Sequence, residues 1–385
     1  MLCYLTRTDT QKSFPYKFTQ FKLLHAAIKA SSLHTPGAPT DTWENQESNS
    51  PFILMGSDFK TIPIIDISPL VAKIDDPKLA TNDDLLEVVR QLDEACKEAG
   101  FFYVKGHGVP DSMIREVREI SRSFFALPTE EKLKIKMTQK SGYRGYQKVG
   151  VNITMGKPDM HEAIDYFRPI LPGQYGDLAN PLEGSNLWPK TPSNFKALLE
   201  DYLSLVKDLS RKIMRGIALA LGAPIDAFEG DCAGDVFWFL RLIGYPVSTD
   251  IPESERTETG IGAHTDYGLL TLVNQDDEIQ ALEVKNRSGE WISAVPIPGT
   301  FVCNIGDMLK VWTNGIYKPT LHRVINKTPF YRVSLAFFYE SNFDACIEPV
   351  ECCKQKTGGL AKYDSIVYGE YLVKKVQNNF VDGRY

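Results

Sequence analysis

FWFLRLI at residues 237–243, LLTLVN at 269–274, LEV at 282–284, WISAV at 291–295, TFVCN at 300–304, HRVI at 322–325 and VSLAFF at 333–338 are short apolar runs packed into one stretch of the chain, Val236 to Tyr339. Turn signals separate them, among them Ser288-Gly289 and Pro298-Gly299. Many short strands at close spacing predict a β-sandwich or barrel. A double-sheet jelly roll is the economical way to hide the sheet edges of such a set.

Outward from this stretch the periodicity changes. Leu198, Tyr202, Leu205, Leu209, Ile213, Ile217 and Leu221 recur every three or four residues, which predicts a long core helix over about 192–221, opened by Thr191-Pro192 and closed by Gly222 and Pro224. Leu85, Leu86, Val89, Leu92, Cys96 and Ala99 predict a helix over 83–99 with Gly100 at its end. A buried strand follows at Phe101–Val104, a helix at Asp111–Phe125, and an earlier strand stands at Ile62–Ile67. A last helix is expected over 363–379. The expected class is α+β, with a double-stranded β-helix (jelly roll) core, flanking helices and a mixed N-terminal region. The expected segments are 1–57, a disordered or targeting extension; 58–190, the N-terminal α/β region; 191–360, the jelly roll with its long helix; and 361–385, a C-terminal helix and tail. Residues 1–54 are rich in Ser, Thr, Lys and Pro, with Asp9 the one acid before position 40 and Arg7 the one arginine. That composition fits either an organellar transit peptide or an untargeted tail ahead of Met55.

Composition excludes several classes. The net charge of −6 is not the basic footprint of a nucleic-acid binder. No apolar run approaches the roughly 18 residues of a membrane span. The seven cysteines are odd in number and never spaced C-x-x-C, which argues against a disulfide scaffold and for a reducing compartment. A cytoplasmic monomer is the expectation, with plastid or mitochondrion as the alternative if residues 1–54 target the chain.

Within the β-rich stretch, residues 262–270 read GAHTDYGLL. On a strand, residues i and i+2 share a face, so His264 and Asp266 can aim a nitrogen and an oxygen at one point. His322 stands on a later run. Two neutral imidazoles and one carboxylate form a facial triad with adjacent positions left open, the ligand set of Fe(II) oxygenases. Ten residues beyond His322 comes Arg332-Val333-Ser334. Here a guanidinium and a hydroxyl share a face, a pairing suited to the far carboxylate of an anionic cosubstrate. His107 and His161 are expected to be structural.

These motifs resemble the plant 2-oxoglutarate-dependent dioxygenases related to isopenicillin N synthase. The likeness runs from about Ile62 to Tyr371 and includes residues 62–66 (IPIID), 100–109 (GFFYVKGHGV), 262–270, 304–307 (NIGD), 313–315 (TNG) and 322–324 (HRV). It implies that His264, Asp266 and His322 bind Fe(II), that Arg332 and Ser334 bind 2-oxoglutarate, and that Tyr245 helps to hold that cosubstrate. Ile243 stands where the family often has Asn. The implied activity is hydroxylation of a small molecule with O₂, releasing succinate and CO₂, with ascorbate as a stimulant.

Gly145-Tyr146, residues 150–154 (GVNIT), residues 156–159 (GKPD) and residues 264–268 (HTDYG) are similar to plant homoarginine-6-hydroxylases. That likeness implies homoarginine or arginine as substrate, hydroxylated beside the guanidino group with release of guanidine. Asn152 and Thr154, two apart on a possible strand, share a face and are candidate acceptors for guanidinium hydrogens. Tyr267 and Phe338 are the other candidate substrate-lining residues, and could equally line a flat pocket. A more distant likeness to bacterial ethylene-forming enzyme, which binds arginine, keeps Thr154 but puts Asn152 where that enzyme has an acid. A plant phenolic or hormone is the alternative substrate, and a non-catalytic jelly-roll binding protein the alternative of another class.

Overall fold

Alternation along two strands organises the molecule. In Arg332–Tyr339, Val333, Leu335 and Phe337 point one way and Arg332, Ser334, Ala336 and Phe338 the other. Its neighbour Trp238–Tyr245 repeats this, with Leu240 and Leu242 on one side and Phe239, Arg241, Ile243 and Tyr245 on the other. The register sets Arg332 opposite Tyr245, Ser334 opposite Ile243, Ala336 opposite Arg241 and Phe338 opposite Phe239. Opposed residues share a face, so the pair presents one apolar surface and one mixed surface.

The computed structural model describes residues 58–73, 83–154, 156–247 and 259–379. The expected extension 1–57 lies outside the described residues. The described residues pack as one compact unit. An eight-stranded sheet runs in the order Ile64–Asp66, Phe101–Lys105, Phe301–Ile305, Leu270–Gln275, Arg332–Tyr339, Trp238–Tyr245, Glu162–Phe167, Gly145–Gln147. Its first pair is parallel and the rest are antiparallel. A second, four-stranded antiparallel sheet runs Trp291–Ser293, Leu282–Lys285, His322–Ile325, Thr259–His264. Phe101, Tyr103, Ile243 and Val302 of the large sheet meet Leu282, Val284 and Val324 of the small one in a single apolar cluster. This is the expected jelly roll. Residues on the mixed surface of the large sheet look into it.

The apolar surface of the large sheet packs on helices. Leu240, Leu242, Leu335 and Phe337 join a larger cluster with Leu92, Val117, Phe124, Leu209, Ile213 and Ile217, from the helices Asp83–Glu98, Asp111–Phe125 and Phe195–Ala220. Several details depart from expectation. The long helix starts at Phe195 behind Asn194, not at Pro192. Its buried stripe passes through Leu199 and Val206, while Leu205 is exposed. In Asp83–Glu98 the core takes Val88 and leaves Leu86 exposed. Gly100 ends that helix at φ 64°, a conformation open to glycine without a Cβ clash. The last helix is Tyr368–Asn379, because Ile366–Val367 pairs with Cys346–Ile347 instead.

Strands from the N-terminal region extend both edges of the jelly-roll sheet, so the segment boundary at residue 190 is no break in the sheet. Glu162–Phe167 is buried at all six positions. Its acids have internal partners: Glu162 accepts from Lys132, Tyr146 and Tyr331, and Asp165 accepts from Gln147 and Arg241.

Candidate active site

His264 ends the strand Thr259–His264 and His322 begins the strand His322–Ile325. The two strands are neighbours, and their register places these histidines opposite each other. Asp266 lies just past the strand end, not on the strand as the i, i+2 spacing suggested. Its Oδ1 is 3.6 Å from each histidine Nε2. One donor atom from each of the three residues lies within 4.8 Å of the others.

The other polar atoms of the three residues are held elsewhere. His264 Nδ1 is 2.8 Å from the Gly262 carbonyl and His322 Nδ1 is 3.2 Å from the Thr320 carbonyl. A carbonyl only accepts, so each Nδ1 carries the hydrogen and each Nε2 turns its lone pair toward Asp266. Asp266 Oδ2 accepts from Thr271 Oγ1 at 2.5 Å and from Asn304 Nδ2 at 2.6 Å, leaving Oδ1 to the imidazoles. Burial, aided by His322, pushes the His264 pKa down to about 4. Burial alone would raise Asp266, but the two imidazoles and the bonds from Asn304 and Thr271 outweigh it and the pKa is lowered. Neutral imidazole and ionised carboxylate are the forms that ligate a metal. His264 keeps 32% of its side chain exposed, against 9% for His322 and 5% for Asp266, so access is from its side.

Arg332 is a buried guanidinium with no acid beside it among the described residues. Its nitrogens donate to Ser334 Oγ at 3.3 Å and to Gln275 Oε1 at 3.2 Å, both neutral groups. Its Nε is buried and makes no hydrogen bond among the described residues. The Tyr245 ring lies 4.8 Å from the guanidinium carbon. A buried cation with neutral partners and an orphaned donor fits an incoming carboxylate. Arg332, Ser334 and Tyr245, expected to act together, are together.

Further along the same face sits Arg241, clamped by Asp165 with Nε to Oδ1 and Nη2 to Oδ2, both at 2.7 Å. Gln147 Nε2 donates to the same Asp165 at 2.5 Å. Phe338 stacks on Phe239 at 4.9 Å. Tyr267 meets the edge of Tyr371 at 6.1 Å, with the Lys375 ammonium 5.6 Å above its ring. Thr154 and Asn152, expected as acceptors, are engaged. Thr154 Oγ1 donates to Asp159 Oδ2 at 2.7 Å, and Asp159 Oδ1 accepts from Gly262 N at 2.9 Å. Asn152 Nδ2 lies 3.1 Å from His161 Nε2, and His161 Nδ1 is 2.9 Å from the Gly260 carbonyl. An added Cβ on Gly262 would stand 2.8 Å from Thr154 Cγ2, so glycine lets Thr154 lie against the strand of His264.

The comparisons with known proteins agree with this geometry. Residues 62–191 match the family described as non-haem dioxygenase in morphine synthesis N-terminal, and residues 239–341 match the 2OG-Fe(II) oxygenase superfamily. A homoarginine-6-hydroxylase of Oryza sativa subsp. japonica is 74% identical over 85% of this chain and 100% of its own length. A homoarginine-6-hydroxylase of Glycine max is 59% identical over 85% of this chain and 100% of its own length. The chain belongs to the 2OG-Fe(II) oxygenase superfamily. Among solved structures, a full-length Neurospora crassa protein in complex with alpha-KG and thymine is 28% identical, with a TM-score of 0.70 over 84% of this chain and 98% of that one. JOX2 in complex with 2OG, Fe and JA is 27% identical, with a TM-score of 0.64 over 90% of this chain and 99% of that one.

The oxygenase is thus a 2-oxoglutarate-dependent dioxygenase that uses Fe(II), 2-oxoglutarate and O₂ on a small-molecule substrate. No described helix is long and apolar enough to cross a membrane. Several residues of the site carried no assigned role in the sequence: Thr271 and Asn304, which orient Asp266; Gln275, which holds Arg332; and Asp159 and Arg241. The one signal for Arg241 was a charge inside the apolar run 237–243.

Proposed function

We propose that His264, Asp266 and His322 hold the Fe(II), that Arg332, Ser334 and Tyr245 hold the distal carboxylate of 2-oxoglutarate, and that the substrate is homoarginine or arginine. Bound together, iron and cosubstrate supply an O₂-dependent hydroxylation that releases succinate and CO₂. The observation that supports the metal role is the convergence of three donor atoms whose remaining atoms are all tied down. The observation that supports the substrate is the 74% identity to a homoarginine-6-hydroxylase.

The residues divide the work. Gly262 and Thr320 carbonyls hold both imidazoles in the ligating tautomer. Arg332 fixes one end of the cosubstrate, and Ser334 adds a hydrogen bond. Thr154 gives its hydrogen to Asp159, so a cation arriving there meets oxygen lone pairs from both. This wall, with Asn152 beside it, receives the guanidinium, and Tyr267 and Phe338 flank the aliphatic chain. Hydroxylation next to the guanidino nitrogen gives a product that breaks into guanidine and an aldehyde. The enzyme acts as a monomer on the free small molecule, away from nucleic acid and membranes, in the cytoplasm or, if residues 1–54 target it, in an organelle. A net charge of −6 supports that reading.

The stacked pair Phe239–Phe338 favours a second reading, a flat phenolic or hormone substrate. One experiment separates the two. Iron-loaded enzyme with 2-oxoglutarate is given homoarginine, arginine or a flavonoid, and succinate and guanidine are assayed. Succinate and guanidine are expected with homoarginine. Succinate driven by the flavonoid alone, with no guanidine from either amino acid, discards the guanidino substrate and keeps the dioxygenase.

A further inference from the structure

We propose that Arg241 is the specificity residue that binds the α-carboxylate of the substrate. The inference rests on the amino-acid reading of the site. Arg241 lies on the strand Trp238–Tyr245, on the face that also carries Ile243 and Tyr245, four residues from the tyrosine that packs on the cosubstrate anchor. Across from it stands the small side chain of Ala336, and the Phe239 ring lies 5.3 Å from the guanidinium carbon. Asp165, fully buried, grips Nε and Nη2 from behind, and Gln147 pins Asp165 in turn. The other terminal nitrogen, Nη1, makes no hydrogen bond among the described residues. The side chain keeps 20% of its surface exposed, while its acid keeps none.

This is a guanidinium oriented on one edge and open on another. Asp159, His161, Tyr245 and Tyr267 all feel its charge, which places it among the pocket residues and not on the outer surface. The Thr154–Asp159 wall offers oxygens to a cation; Arg241 offers nitrogen to an anion. An amino acid with a cationic side chain carries both groups at opposite ends. Two separate arginines then sort two carboxylates, Arg332 taking the cosubstrate and Arg241 the substrate.

The test compares homoarginine with its decarboxylated analogue, 5-aminopentylguanidine, in the wild-type holoenzyme, in Arg241→Lys, and in the double variant Arg241→Met with Asp165→Asn. The lysine keeps a charge beside Asp165, and the double variant removes both charges, so neither leaves a buried acid alone. Steady-state KM and anaerobic homoarginine titration of the Fe(II)/2-oxoglutarate enzyme are both read. KM and Kd for homoarginine should rise on the order of 10–100-fold, as for a lost charge-assisted bond, while KM for the analogue and for 2-oxoglutarate stays put. If both guanidino compounds weaken in parallel, or homoarginine does not weaken, Arg241 is only a structural partner of Asp165. If the wild type releases succinate with neither homoarginine nor arginine, the amino-acid reading fails first and takes the inference with it.

Discussion

Arg332 and Arg241 share one face of the jelly roll and are buried in opposite ways. Arg332 is 1% exposed and touches a hydroxyl, an amide and an aromatic ring, with no acid among the described residues. Arg241 carries a bidentate carboxylate on its back. A buried charge is tolerated when something offsets its lost hydration. At Arg241 that partner is permanent, so the pair belongs to the fold. At Arg332 no acid among the described residues fills the role, which is why an external anion is the proposed partner. The difference separates a guanidinium whose charge the fold itself offsets from one that has no acid beside it among the described residues.

The largest expected effect lies at neither arginine but at the cluster of His264, Asp266 and His322. Asp266→Ala, like His264→Ala or His322→Ala, should abolish turnover with the fold kept, because each removes one of the three proposed ligands without opening the core. Iron content and succinate release are measured together. Wild-type rate at limiting iron in any of the three variants would undo the ligand assignment. Next comes Asp165→Asn, which strands the Arg241 charge in the interior. Breaking a buried pair on one side costs about 3–5 kcal/mol, read as a drop in denaturant midpoint.

Arg332→Gln should behave in the opposite sense. The apparent 2-oxoglutarate requirement should rise by about 10–150-fold, the equivalent of about 1.5–3 kcal/mol for a charge-assisted bond. Without cosubstrate, however, stability should not fall, since no acid loses its partner. Ser334→Ala should raise the requirement less. Apo Arg332→Gln melting well below wild type would mean that a counter-ion for Arg332 exists in the fold and would erase the contrast between the two arginines.

The contrast is half legible in the sequence. His264, Asp266, His322, Arg332 and Ser334 sit in short motifs with fixed spacing, and period-2 alternation turns such spacing into a shared face. Tyr245 follows from resemblance. Arg241 and Asp165 are harder, because their partnership spans strands 76 residues apart in sequence. Glu162–Phe167 carries two acids, unusual for an interior strand, and only tertiary pairing of Glu162 and Asp165 makes it one. The three larger helices lie within a turn of their expected bounds, yet the stripe of the longest runs through Val206 and not Leu205. An apolar side chain on a helix flank reads the same as one in the core until the neighbours are known.

The smallest effect concerns His161 and its partner Asn152. His161 is 1% exposed, donates from Nδ1 to the Gly260 carbonyl and accepts at Nε2 from Asn152. Burial, with Arg241 nearby, pushes its pKa down to about 4, against 6.5 for the free side chain. A depressed folded pKa means that the unfolded chain takes up the proton first. The contribution is intact above pH 6.5 and is lost as pH falls from there toward 4. By pH 5.5 the loss from this one group is about 1 kcal/mol. His161→Gln removes the titration, so its apo stability should decline less steeply between pH 7 and pH 5.5 than that of the wild type. His264, titrating in the same range, remains in both proteins and cancels in the comparison. Denaturant midpoints at the two pH values give the slope directly. Equal slopes would show that folded and unfolded chains protonate His161 alike, so that its pKa is not depressed; a wild type that gains on the variant as pH falls would show His161 already protonated in the fold, and the neutral imidazole that joins Asn152 to the strand of His264 would have to be abandoned.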